Sequence, residues 1–187
     1  MKRLIYCIFN TFLYRKGLSK IKRGKQCVSG VLSISPSFLD EHHIDVLVLD
    51  FDGVMASHGE DIPYNEVIAW LKDLLIHFNE NKVYILSNKP TIQRKLFFQE
   101  YFPKVTFISG VRKKPYPDGL QLVAEMSGVK NSNIAIVDDR LLTGCLSSLI
   151  AGSQAIWVTK AYTNFKKRFV VESFFQFQRW LDKSIIR

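Results

Sequence analysis

Val46-Leu47-Val48-Leu49-Asp50-Phe51-Asp52-Gly53-Val54 is the stretch on which the reading of this chain turns. Four apolar, mostly branched side chains in a row read as a short strand buried on both faces. Residues two apart on a strand point the same way, so Asp50 and Asp52 project together where the strand ends, and Gly53 allows a sharp turn after them. Two like charges that close call for a counter-ion, and oxygen ligands suit Mg²⁺. A carboxylate beside such a metal can attack phosphorus while its neighbour handles protons, so the pentapeptide points to phosphoryl transfer.

Outward from this stretch the chain alternates strand and helix. Pro63 is expected in the first turn of a helix with its apolar stripe on Val67, Leu71, Leu74, Leu75 and Phe78. Val83-Tyr84-Ile85-Leu86 reads as a second strand ending at Ser87-Asn88, residues 90–101 as a helix and residues 105–108 as a third strand. A helix over 118–126 leads to a fourth strand, Ile134-Ala135-Ile136-Val137, which ends at Asp138-Asp139, and a fifth follows at 155–158. A β-α repeat of this kind predicts a three-layer α/β/α, Rossmann-like domain around a parallel sheet. Ligands gather at the carboxyl ends of such strands, where Asp50, Asp52, Ser87, Asp138 and Asp139 all fall.

Each group has a chemistry. Asp50 would be the nucleophile and Asp52 the general acid and base. Ser87 would donate to a phosphoryl oxygen. Lys113 or Lys114, in the rigid turn Arg-Lys-Lys-Pro-Tyr-Pro-Asp, would neutralise charge on the transferring group. Asp139, with Asp138 beside it, would complete a Mg²⁺ site together with Asp50 and a backbone carbonyl, and Asp52 is counted in the same metal set. Between Asp52 and Ser87 there is room only for a flap and one helix, and between Ser87 and Lys114 only for one helix and one strand. No cap domain fits either gap, so the site is expected to be open to a phosphate carried on something large.

This order of motifs resembles the haloacid dehalogenase-like (HAD) phosphohydrolase superfamily. Asp50-Phe51-Asp52-Gly53-Val54 matches its first motif, Ser87 its second, Lys114 its third and Asp138-Asp139 its fourth, over about residues 44–160. The resemblance implies a Mg²⁺-dependent phosphatase with Asp50 as nucleophile, Asp52 as acid/base, Ser87, Asn88 and Lys114 as phosphate contacts and Asp139 as a metal ligand. Residues 137–144, Val-Asp-Asp-Arg-Leu-Leu-Thr-Gly, are similar to a segment of the subfamily IIIA branch that includes YqeG-like proteins and phosphatidylglycerophosphate phosphatases. Three departures accompany this likeness: Gly53-Val54 stands for the branch's Asn-Thr, Asp138 for its Gly, and Gly144 for its second acidic residue. The branch implies conversion of phosphatidylglycerophosphate to phosphatidylglycerol at a membrane.

Charge supports a membrane separately. Residues 1–30 hold eight of the 26 Lys and Arg and none of the 17 acids, which leaves the rest of the chain about neutral. Residues 4–14 are almost all apolar or aromatic, too few to span a bilayer, with cations on both sides. This predicts an amphipathic basic helix whose Tyr6, Phe9, Phe12 and Tyr14 enter the headgroup boundary of an anionic membrane through residues 1–25; a core-docking helix with a solvated basic end is the alternative. The expected division is therefore a membrane-interface segment at 1–30 and a phosphatase domain at 31–187. The protein would be peripheral at the inner, cytoplasmic membrane face, or in the mitochondrial matrix if the segment is a transit peptide. Near the C-terminus, Val170, Phe174, Phe177, Leu181 and Ile185 share a helical face that is expected to pack in the core, a second membrane contact being the alternative. Cys7, Cys27 and Cys145 read as reduced thiols, and His58 falls in the flap where it could touch substrate. Two other functions compete with the lipid phosphatase: a capless polynucleotide or protein phosphatase, for which nucleic acid would be the partner of the basic tail, and a noncatalytic membrane-binding scaffold.

Overall fold

A computed structural model describes residues 2–186. Six strands, Cys27–Val28 (β1), Val46–Leu49 (β2), Val83–Leu86 (β3), Thr106–Ile108 (β4), Ile134–Asp138 (β5) and Gln154–Val158 (β6), form one all-parallel sheet in the order β1-β6-β5-β2-β3-β4. Alternate side chains of the central strands feed two cores. Leu47, Leu49, Ile85 and Val137 face Asn65–His77 (α4) and Ile92–Tyr101 (α5) through Leu71, Leu74 and Phe98. Val46, Val48, Ile136 and Trp157 face Asp118–Ser127 (α6) and Leu146–Ala151 (α7) through Leu120, Val123 and Leu146. The α/β/α layering expected from the alternating pattern is therefore present, and neither gap between the motifs holds an inserted domain among the described residues. Pro63 sits just before α4 rather than in its first turn, since Tyr64 takes the N-cap position.

The sequence pattern missed β1, because two residues leave no periodicity to read. It pairs with β6 through Cys27 and Trp157, so residues 1–30, expected as a separate membrane segment, contribute the edge of the sheet. Two helices precede it, Lys2–Leu13 (α1) and Arg15–Arg23 (α2). Leu18 of α2 is wholly buried in the second core. On α1, Tyr6, Cys7, Asn10 and Thr11 follow the inward stripe, which Tyr14 continues just beyond the helix: Tyr6 stacks on Tyr116 at 4.3 Å, and Arg3 Nε donates to the Lys114 carbonyl at 2.9 Å. Of the four aromatics expected at a headgroup boundary, Phe9 and Phe12 point outward and Tyr6 and Tyr14 do not.

The last helix, Phe165–Ile185 (α8), corrects an expectation. Val170, Phe174, Phe177, Leu181 and Ile185 are on the outside, and the buried face carries Glu172, Arg179 and Asp182 instead. Those three reach His58, Asp139 and Arg140, and the cost of stranding buried charges, several kcal/mol each, outweighs that of leaving apolar side chains in water. Another short helix, Pro36–Glu41 (α3), is capped by Ser35 and adds Leu39 to the first core. No helix among the described residues is long and apolar enough to cross a membrane.

Because Leu18 is fully enclosed whereas Phe12 is 71% exposed, Leu18→Ala should lower the unfolding free energy by about 2–4 kcal/mol and Phe12→Ala by less than about 0.5 kcal/mol. Urea titrations of the two variants check whether the N-terminal segment is part of the cooperative unit.

Candidate active site

Asp50 follows the last residue of β2, and its backbone N–H donates to the Val137 carbonyl, which fixes it beside the end of β5. There β5 ends in Asp138, and Asp139 follows. Carboxylate oxygens of Asp50, Asp138 and Asp139 all lie within 4.8 Å of one another, and all three residues are buried. Lys114, only 2% exposed, reaches over from the loop after β4. Its Nζ sits 2.9 Å from Asp50 Oδ1 and 2.6 Å from Asp138 Oδ2. The Lys114 backbone N–H donates to Asn88 Oδ1 at 2.8 Å, so Asn88, expected as a phosphate contact, also pins the loop that carries the lysine. Lys113 faces the cleft and is exposed.

Asp52 does not join the cluster by its side chain. Its two oxygens accept from Arg94, Nη1 to Oδ2 at 2.9 Å and Nη2 to Oδ1 at 2.7 Å, and Oδ1 also accepts from the Gly59 N–H at 3.3 Å. The expected fourfold metal set of Asp50, Asp52, Asp138 and Asp139 is thus three side chains, with Asp52 turned to a different cation. Arg94 is wholly buried on α5, stacks over Phe51 at 3.9 Å, and donates to the Glu60 carbonyl and, at 3.2 Å, to Ser87 Oγ. Ser87 Oγ accepts as well from the Lys89 N–H. The Thr91 hydroxyl caps α5 at the Arg94 N–H and so sets the start of the helix that delivers this guanidinium.

A second cation was also hidden from sequence reading. Arg179 of α8 places Nε 2.5 Å from Asp139 Oδ2, with both groups buried. Gly53 makes this possible: its φ is +85°, and a Cβ there would overlap Asp139 Oδ2 and the Arg179 guanidinium. Beyond it, the buried carboxylate of Glu172 accepts from the His58 N–H at 3.1 Å and lies 3.3 Å from His58 Nδ1, while Phe175 stacks on the imidazole. Neither arginine sits in a motif, and each looks like the polar side of a helix until its tertiary partner is known.

Electrostatics follow from burial. Removal from water pushes the Asp50 carboxyl up, to about 8; Lys114 opposes this, and Asp138, Asp52 and Asp139 add to it. Burial also pushes Asp139 up against the pull of Arg179. Asp52 behaves differently: burial raises it, but the Arg94 hydrogen bonds and charge outweigh burial and leave it below the ordinary carboxylate range. Burial pushes the His58 imidazole down. Three hard oxygen donors that share too little positive charge fit a divalent ion such as Mg²⁺, which would compete with Arg179 for Asp139.

Asp138 and Gly144, two of the departures noted in the sequence, answer one another. Asp138 accepts from the Arg140 N–H at 2.8 Å and from the Thr143 hydroxyl at 3.3 Å. Its carboxylate fills the space a side chain at 144 would need, since a Cβ there would overlap Asp138 Oδ2, Cγ and Cβ. The π-helical turn Leu141–Cys145, which runs straight into α7, brings Gly144 to this point. Asp138 thus occupies the volume that an acidic side chain at 144 would need.

Asp50 and Asp139 line an open cleft of about 820 Å³ together with Arg140, Thr143, His58 and Asn88, and with Arg3, Leu4, Phe174 and Leu181 from the first and last helices. A parallel sheet that gathers carboxylates and a buried lysine at the ends of its strands defines an α/β enzyme. Residues 17–145, more than half of the chain, match the family described as "Hydrolase: haloacid dehalogenase-like hydrolase". The chain belongs to that family, and the protein is a hydrolase. No curated protein matches it in sequence. A solved structure from Corynebacterium glutamicum ATCC 13032, described as an uncharacterized protein, is similar at 23% identity and a TM-score of 0.48, over 68% of this chain and 91% of that one.

Two outcomes test this geometry. Gly144→Ala should cost about 3 kcal/mol through overlap with Asp138, and adding Asp138→Gly should recover part of that loss, as read by denaturant melts of the single and double variants. The second concerns pH. A folded-state value for Asp50 raised from 3.8 to about 8 means that its contribution to stability is full below the lower value and lost as pH rises through the upper one. In EDTA, the melting temperature of the unaltered protein should therefore fall relative to Asp50→Asn between about pH 5 and about pH 8, and Mg²⁺ should flatten that difference.

Proposed function

We propose that this hydrolase cleaves phosphomonoesters through an aspartyl-phosphate on Asp50, and that its substrate is a phospholipid headgroup, phosphatidylglycerophosphate being converted to phosphatidylglycerol. The observation that carries the chemistry is Lys114 Nζ held between Asp50 and Asp138 at the edge of the sheet. An Asp50 oxygen attacks phosphorus, the bond from phosphorus to the glycerol oxygen breaks, and Asp52 gives that oxygen a proton. Water then attacks phosphorus and returns a proton to Asp52, which frees phosphate and restores Asp50. The Arg94 pair fixes the direction of both Asp52 oxygens and favours the carboxylate that accepts the proton of water in the second half; the proton given to the glycerol oxygen in the first half is the one Asp52 took up from water in the preceding turnover. Lys114 and the Ser87 hydroxyl bind phosphoryl oxygens. Asp50, Asp138 and Asp139 would hold Mg²⁺, which would neutralise charge on the phosphoryl group.

The lipid assignment draws on three supports. Residues 137–144 are similar to the subfamily IIIA segment, the cleft lies open without an inserted cap, and α1 leaves Leu4, Ile5, Phe9 and Phe12 in solvent on the helix whose Arg3 lines the cleft. In this reading the basic residues of 1–25 meet anionic lipid, and the protein is peripheral at the inner face of a membrane, cytoplasmic or matrix-side.

Phosphate release from phosphatidylglycerophosphate in mixed micelles, from a 5′-phosphorylated oligonucleotide and from a sugar phosphate tests this. The expected result is Mg²⁺-dependent turnover with preference for the lipid, reduced about 10³-fold or more in a folded Asp50→Asn variant, since an amide cannot attack phosphorus. Preference for the oligonucleotide would replace the lipid assignment, and full activity of Asp50→Asn would remove Asp50 as nucleophile.

A further inference from the structure

Helix α8 is built inside out. Its buried face is polar, with Glu172, Arg179 and Asp182 committed to ion pairs, while Phe169, Val170, Phe174, Phe177 and Trp180 are each more than half exposed. Nothing in the fold requires that outer face to be apolar: the helix is held by its charges, so Ser or Lys at these positions would serve packing equally well. Helix α1 shows the same character, with Leu4, Ile5, Phe9, Phe12 and Leu13 outward. The two helices come from opposite ends of the chain yet border one cleft, α1 through Arg3 and Leu4 and α8 through Phe174 and Leu181. Lys22 of α2 ties the N-terminal helices to the end of α8 by donating to the Lys183 and Ile186 carbonyls at 2.8 and 2.6 Å.

Charge identifies what this face meets. Neither α1 nor α2 contains a carboxylate, and both acids of α8, Glu172 and Asp182, are buried and paired inward. Every exposed ionised side chain on these three helices is therefore a cation, among them Lys2, Arg15, Lys16, Lys166 and Lys183. Exposed Phe and Trp ringed by Lys and Arg, with all acids withdrawn, is the composition of a surface that enters the headgroup layer of an anionic bilayer.

We propose that α8 forms the second half of a single membrane seat which, with α1, surrounds the mouth of the cleft, so that docking presents the acidic cluster to headgroups in the bilayer plane. This inference rests on the lipid reading above and extends it to a helix at the far end of the chain. It also explains why the outer face of α8 is apolar although the core makes no use of it.

Cosedimentation of the full chain with vesicles of phosphatidylcholine, alone or mixed with phosphatidylglycerol, tests the seat with two paired variants, Phe177→Ser/Trp180→Ser on α8 and Phe9→Ser/Phe12→Ser on α1. None of the four side chains lines the cleft, so melting temperature and hydrolysis of p-nitrophenyl phosphate serve as controls. The expected result is binding that depends on phosphatidylglycerol, weakened about tenfold by either pair with both controls unchanged. Normal binding by the α8 pair together with loss in the α1 pair overturns the role of α8 and keeps the lipid reading. Absence of binding by the unaltered chain overturns both. Equal binding to phosphatidylcholine alone overturns the charge argument. A dimer in sedimentation that the α8 pair dissociates, with vesicle binding intact, makes the face a contact between copies and overturns the proposal.

Discussion

Matching charge at the edge of the sheet is the constraint on which the rest of this structure depends. Asp50, Asp52, Asp138 and Asp139 are brought out of water at neighbouring strand ends, and each such charge left without a partner would cost several kcal/mol, an appreciable part of the stability of a domain this size. Three cations answer them, each from a different part of the chain: Lys114 from the loop after β4, Arg94 from α5 and Arg179 from α8. These pairs join elements far apart in sequence. They also decide the rotation of α8, because a helix that must aim Arg179, Asp182 and Glu172 inward has no choice about what it turns outward.

Two glycines beside the site make physical sense together with the side chains they face. Gly144 lacks a side chain where Asp138 needs the room, and Gly53 lacks one where Arg179 and Asp139 meet. A reader of the sequence alone sees three separate substitutions, two of which remove a side chain near a site. In space each glycine leaves room for a neighbour's charge: Asp138 fills the volume beside Gly144, and Arg179 from the last helix meets Asp139 beside Gly53. Burial enforces this coupling, since two side chains cannot share a volume and an unmatched carboxylate cannot remain there cheaply.

What sequence could reveal was set by the range of the interactions. Strands β2, β3 and β5 are continuous apolar runs ended by polar residues, a local signal, and the placement of Asp50, Ser87, Asp138 and Asp139 at one edge follows once the sheet is parallel. The Lys113-Lys114-Pro115 turn was legible because it is also local, though it took the family resemblance to prefer Lys114 over Lys113. Arg94 and Arg179 were not, for on a helical wheel each is one more polar residue, and only the fold reveals that its side chain ends at a carboxylate 42 or 40 positions away. The stripe on α8 misled for the same reason. Apolar periodicity assigns the buried face by hydrophobicity alone, whereas here ion pairs at the site outweigh it. The turn of the Asp52 carboxylate away from the acidic cluster likewise depends on Arg94 and could not be inferred from the spacing of the two acids.

The balance at the site is incomplete in a way that bears on function. Four carboxylates face three cations, and the pairs are unequal: Asp52 has Arg94 on both oxygens and is held ionised, while Asp50 shares Lys114 with Asp138 and is pushed up to about 8. A fold selected for stability alone would have removed one acid or added a base, because a protonation shift of this size is a stability loss carried at neutral pH. Retaining the deficit leaves the groups around Asp50 short of one positive charge at the point where the cleft opens. A divalent ion would complete that set, and a phosphoryl group arriving there would then meet Lys114 and the ion together instead of bare carboxylates, which would repel it. The destabilising excess of acid and the capacity to take in a metal and a phosphate are thus one property of the edge of the sheet, seen first as a problem of folding and then as the basis of the proposed hydrolysis.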